Sequence, residues 1–233
     1  MSERAKDLRE RIVSAAAELL VAGGREAVST RAVSAAAGVQ APAIYRQFAD
    51  MQQLLHAAAR EVLAGYVRHK GKQRASDDPL EELRRGWDVH VAFGLANPAA
   101  YALIYGDSTA LDSPEMHDGH AMLRALVARV AEAGRLGVSV PHAARLIHAG
   151  ACGVTLSLIA APPNERDARL SHTMRDAVLS AILTPAVAEP APGPNRIAAR
   201  AVALRAVLCE GQDAFSPAEL LLLTEWLDRL AQS

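Results

Sequence analysis

The sequence predicts an all-α protein. Three observations carry that reading. Apolar residues recur at three- and four-residue spacing along the 233-residue chain. Aromatics are scarce, while alanine and leucine are plentiful, a composition that favours helices. Glycines and prolines fall where one helix should stop and the next begin. No segment reads convincingly as a strand, and no internal repeat is evident.

The first helix is expected from about Arg4 to Ala22, with Leu8, Ile12, Ala15, Ala16, Leu19 and Leu20 on one face and Gly23-Gly24 ending it. Two short helices and a tight turn follow within 29–48, a helix-turn-helix. Thr30 or Ser29 has the side-chain oxygen to cap the first of them. Ala32, Val33 and Ala36 share its inward face. Gly38 follows the helix end, where a left-handed backbone costs glycine little. Val39 points back into a small core. Gln40 begins the second helix, and Pro42 sits in its first turn, where a missing N–H is harmless. Ile44 and Phe48 have core spacing, which turns Tyr45 outward. The outward residues are small or hydrogen-bonding, as a helix in a major groove requires.

A long helix is expected from Met51 to about Lys70, then helices over Leu80–Ala96, Pro98 to Tyr105, Pro114–Ala133, Pro141–Ala160 and Arg166–Leu183. The proline-rich stretch Thr184–Asn195 reads as an exposed linker. Arg196–Glu210 and Pro217–Ala231 close the chain, the latter opened by a capping box, Ser216-Pro217-Ala218-Glu219. Leu220–Leu223 faces every side of that helix and needs cover on more than one.

A net charge of −1 conceals an asymmetry: residues 1–74 carry +5 and residues 75–233 carry −6. A basic N-terminal third suits phosphate binding. Cys152 and Cys209 lie far apart in apolar patterns, which predicts buried thiols in a reducing cytosol rather than a disulfide or zinc framework. The N-terminus is charged and does not read as a signal peptide. The longest apolar run, Ala149–Ala161, is short for a membrane span and contains Thr155 and Ser157. A cytoplasmic protein with no membrane partner is expected.

The string from Thr30 to Asp50 resembles the DNA-binding signature of TetR-type (TetR/AcrR) transcriptional regulators. The matching pieces are the Thr-Arg start, the Ala-Gly-Val turn, the Ile-Tyr-Arg-x-Phe helix and the Leu54-Leu55 pair beyond it. One position departs: Met51 stands where the family usually has a phosphate-reaching lysine. The resemblance implies a three-helix DNA-binding domain over residues 1–50. It implies a larger helical ligand-binding and dimerisation domain over 51–233, joined through the helix at 51–70. Resemblance and chemistry together assign phosphate contacts to the hydroxyls of Thr30 and Tyr45. Arg46 suits a phosphate or a base; Gln40, Ala41 and Gln47 suit base edges; Arg31 and Pro42 belong to the same surface.

The resemblance also implies a small-molecule effector and a homodimer on a palindromic double-stranded operator, hence a regulator, expected to be a repressor released by a largely apolar molecule. Candidate effector residues are Trp87, His90, Tyr101, Tyr105, His120, His148, Cys152 and Thr155, polar groups among apolar helix faces. The dimer is expected through helices within 141–183, with the C-terminal helix as competitor. His117, Asp118 and His120, near Asp112 and Glu115, lack a diagnostic metal spacing, so no metal or other cofactor is expected. No nucleotide-binding glycine pattern or nucleophile elbow supports an enzyme. The competing reading, raised by Met51, is a helical small-molecule or lipid-binding protein with a weakened DNA-binding head.

Overall fold

The computed structural model describes residues 3–72, 76–106, 113–184, 194–208 and 215–232. In chain order the helices are α1 (Glu3–Ala27), α2 (Thr30–Ala37), α3 (Ala41–Gln47), α4 (Met51–Gly71), α5 (Pro79–Ala96) and α6 (Pro98–Tyr105). They continue as α7 (Pro114–Glu132), α8 (Val140–Ala160), α9 (Ala168–Ile182), α10 (Pro194–Val207) and α11 (Pro217–Leu230). Among the described residues there is no strand, only an isolated bridge between Leu136 and Leu183.

Local chemistry explains most boundaries. Ser29, not Thr30, caps α2, accepting from the Ala32 N–H at 3.2 Å. Gly38 ends α2 at φ 64°, ψ 42°, and its N–H returns to the last turn. Gln40 is the residue before α3 rather than its first member. Asp50 caps α4 through the Gln53 N–H at 2.8 Å, and Gln53 Oε1 accepts from the Ala49 N–H at 3.2 Å. Ser216 and Glu219 form the expected capping box.

The glycine pair breaks α1 where expected: Gly24, at φ 69°, ψ −166°, is non-helical, and a separate helical turn continues to Ala27. Two expectations are corrected. Ala36 is exposed; Val33 and Ala37 take the inward face of α2. Leu221 (71% exposed) and Leu222 (43%) are uncovered within the chain, and Leu227 alone on α11 is buried. Cys209 and most of the proline-rich stretch lie outside the described residues.

The chain forms two units, each discontinuous in sequence. The first comprises residues 1–73, 92–119 and 155–165; the second, 74–91, 120–154 and 166–233. In the first, α1, α2, α3, α4 and α6 share one core, with Ile12, Leu20, Val33, Ile44, Leu54 and Ala58 almost wholly buried. Tyr66 stacks on Phe93 with ring centroids 4.4 Å apart. In the second, Arg129 donates to Glu82 and to the Ser76 carbonyl, both at 2.6 Å. The Gly137 N–H donates to the Ile182 carbonyl at 2.8 Å, and the Thr184 N–H to that of Arg135 at 3.0 Å, tying the turn after α7 to the end of α9. Helix α8 is long and apolar enough to cross a membrane by length and composition, and Ala143, Ala144, Ile147, Ala151, Val154 and Leu158 on it are buried.

Candidate DNA-binding surface and ligand site

The helix-turn-helix holds α3 so that one face is core and the other is open. Ile44 and Phe48 are buried, at 1% and 2% exposure, while Tyr45 is 52% exposed. Arg31, Gln40, Pro42 and Arg46 are exposed too, with Thr30, Ala41 and Gln47 half-buried. Two arginines of α1 brace the motif from behind. Arg11 donates to the Ala37 carbonyl at 2.7 Å, the end of α2. Arg9 donates to the Gln47 carbonyl at 2.8 Å, the end of α3, and lies over the Phe48 ring at 4.1 Å. Both place a cation against orphan carbonyls at a helix C-terminus.

Because Ser29 does the capping, the Thr30 hydroxyl is free to face outward. It hydrogen-bonds the Tyr45 hydroxyl at 2.9 Å, and lies 3.5 Å from Met51 Sδ. Three helices thus meet at one exposed hydroxyl pair, which can offer a proton to a phosphate oxygen. Met51 supplies a soft, uncharged neighbour at that spot.

The candidate effector residues separate into two sets. In the first unit, Tyr101 and Thr155 are fully buried, and Tyr101 packs on Tyr105 with centroids 4.4 Å apart. In the second, Trp87 donates its indole N–H to Ser171 at 3.1 Å, a buried partner that sequence reasoning missed because 84 residues separate the two. The same unit gathers four candidates into a chain of contacts. His120 Nε2 is 3.3 Å from His148 Nε2, with the rings edge-on at 89°. Cys152 Sγ is 3.6 Å from His148 Nε2 and 3.9 Å from His90 Nε2. Burial, and then the charge of His120, push His148 from 6.5 to about 4, so it is neutral at physiological pH. A neutral imidazole donates at one nitrogen and accepts at the other. Among the described residues no group of three His, Cys, Asp or Glu side chains is placed to hold a metal ion. His117 and Asp118 are exposed, and Asp112 lies outside the described residues.

These features define a class: an all-helical protein with a helix-turn-helix DNA-binding head on a larger helical body. Residues 12–58 match the family described as bacterial regulatory proteins, tetR family. That match lies over the helix-turn-helix head, and the fold of most of the chain is similar to that of solved structures, several of them described as TetR-family regulators. The RolR structure with resorcinol has a TM-score of 0.66 at 17% identity, covering 83% of this chain and 99% of its own. SmeT, repressor of the Stenotrophomonas maltophilia multidrug efflux pump SmeDEF, gives 0.54 at 20% identity over 79% and 96%. The multidrug binding protein EbrR with imidazole gives 0.56 at 23% identity over 80% and 96%. No curated protein matches the chain.

Proposed function

We propose that this protein is a repressor that binds a palindromic operator as a homodimer and releases it on binding a small, largely apolar molecule. The observation that carries the reading is the exposed Thr30–Tyr45 hydroxyl pair beside an α3 that turns Ala43 and Ile44 inward, with Phe48 after it. That pair fixes the head on the phosphate backbone, and Gln40, Ala41 and Gln47 reach base edges, with Arg46 on either. One short helix reads only a few base pairs, so specific affinity requires two heads on two half-sites.

The effector meets the His90–Cys152–His148–His120 relay with its polar groups and Trp87 with its apolar body. The resorcinol and imidazole held by two structural neighbours are small polar aromatics of the kind such a relay suits. Exposed apolar residues offer a second copy two surfaces: Leu170 and Met174 on α9, and Leu221, Leu222, Trp226 and Leu230 on α11. The α9 surface continues the stretch 141–183 and is the one assigned to the dimer.

The test is selection of duplexes from a random-sequence pool by the purified protein, followed by a salt titration of the winner. A palindromic winner with a steep salt dependence is expected. No enrichment, before and after stripping and refolding the protein, overturns the reading.

A further inference from the structure

The first unit contains a cleft of about 200 Å³ that the effector residues do not line. Its walls come from α1, α4 and α6, and it reaches Phe48 at the end of the recognition helix. Its rim carries two guanidinium groups, Arg9 from α1 and Arg60 from α4, with the His56 imidazole one helical turn before Arg60. Its floor is apolar, built by Leu63 of α4 with Leu103 and Ile104 of α6, each at most 8% exposed. No carboxylate is among these lining residues.

Among the arginines of the head and α4, Arg9 bonds the Gln47 carbonyl, Arg11 the Ala37 carbonyl, Arg25 the Gln52 amide and Arg68 the Glu61 carboxylate, whereas Arg31, Arg46 and Arg60 make no such bond among the described residues, and of these three only Arg60 lines the cleft. A guanidinium is always charged and presents a planar fork of donors matched to a carboxylate. At about 30 Å³ per water the cleft displaces some seven waters, enough for a one-ring molecule.

We infer that this cleft is a second ligand site, distinct from the effector relay, that takes a small organic carboxylate with an aromatic or branched apolar body. The carboxylate sits on Arg60, with His56 and the unused N–H groups of Arg9 beside it, and the body lies on Leu63, Leu103 and Ile104. An occupant there touches the residue that closes the recognition helix and the helix that carries Met51. Its binding and DNA binding are then reciprocally coupled wherever the two states differ at Phe48.

The test uses the full-length protein without DNA, so it stands or falls apart from the operator reading. Benzoate is the probe and benzyl alcohol its neutral counterpart, both titrated by calorimetry and by ligand-observed NMR. Saturable binding of benzoate at one site per chain is expected, with benzyl alcohol at least about tenfold weaker, the difference a lost charge-assisted pair makes. Arg60→Gln should weaken benzoate by a similar factor while leaving the melting temperature unchanged, because the exposed Arg60 supports nothing else. His148→Gln should leave benzoate binding alone. Unsaturable binding, equal affinity for acid and alcohol, or an Arg60→Gln protein that binds benzoate like the wild type would each overturn the assignment. Loss of benzoate binding in His148→Gln would place the probe at the effector relay instead and overturn it equally.

Discussion

Met51→Lys tests how the head meets DNA. Met51 opens α4 half-buried, with its sulfur 3.5 Å from the Thr30 hydroxyl, which in turn bonds Tyr45 at 2.9 Å. A lysine stem follows much the same course as the thioether and carries an ammonium out beside the hydroxyl pair. Each added phosphate contact steepens the salt dependence of log affinity by about 0.9, hence by about 1.8 for two heads. Over a fourfold rise in salt the variant complex should therefore lose about twelvefold more affinity than wild type. Folding stability should change little, within about 0.5 kcal/mol, for a substitution at a partly exposed position. The assay is fluorescence anisotropy of the selected operator at a series of salt concentrations, with the melt recorded alongside. Parallel salt lines for the two proteins would refute the reasoning, for position 51 would then not face a phosphate, nor would the hydroxyl pair beside it.

Three further outcomes are expected. A Cβ on Gly94 would overlap Thr155 Cγ2 and stand 2.8 Å from Tyr101 Cδ2, both in fully buried side chains. Overpacking of about 1–3 kcal/mol should outweigh the gain of about 1 kcal/mol in helix propensity, so Gly94→Ala lowers the denaturant midpoint, and adding Thr155→Ser recovers part of the loss. Ser171→Ala strands the buried Trp87 indole N–H and should cost about 1–3 kcal/mol; a wild-type melt would mean that the 3.1 Å bond contributes nothing. His148 is held at about 4 when folded, below its ordinary 6.5, so the unfolded chain takes up the proton first. Stability is then full above pH 6.5 and falls between there and about pH 4, by at most about 3 kcal/mol. His148→Gln should flatten that limb of a stability-against-pH curve, and an unaltered limb would show that other groups set it.

The head was legible in the sequence because its signals are local. Gly38 marks a left-handed turn, Ile44 and Phe48 define an inward face, and Tyr45 is left outside by elimination. What the sequence left open there was which of two adjacent hydroxyls caps α2, since Ser29 and Thr30 have the same chemistry and differ only in backbone conformation. The body was less legible. Helical spacing places His148 and Cys152 on one face of α8, but it does not say which faces of α5 and α7 oppose them. His120 lies 28 residues from His148, and His90 lies 62 from Cys152. Such pairings belong to helix packing, which periodicity leaves open. The cleft under Arg60 left no trace in the sequence, because a void is defined by what three helices fail to fill.

Helix α4 has its buried alanines, Ala57, Ala58 and Ala59, near its middle, with the Thr30–Met51 contact at one end and the Tyr66–Phe93 stack toward the other. Its 21 residues span about 31 Å. Leu54 and Leu55 before that stripe and Leu63 after it are buried as well, so α4 is keyed into its core on both sides of the alanines. A helix held in this way shifts as one rod. A displacement of about an ångström at Tyr66 would reach Met51 nearly undiminished, on the scale of the helix shifts that switch proteins between states.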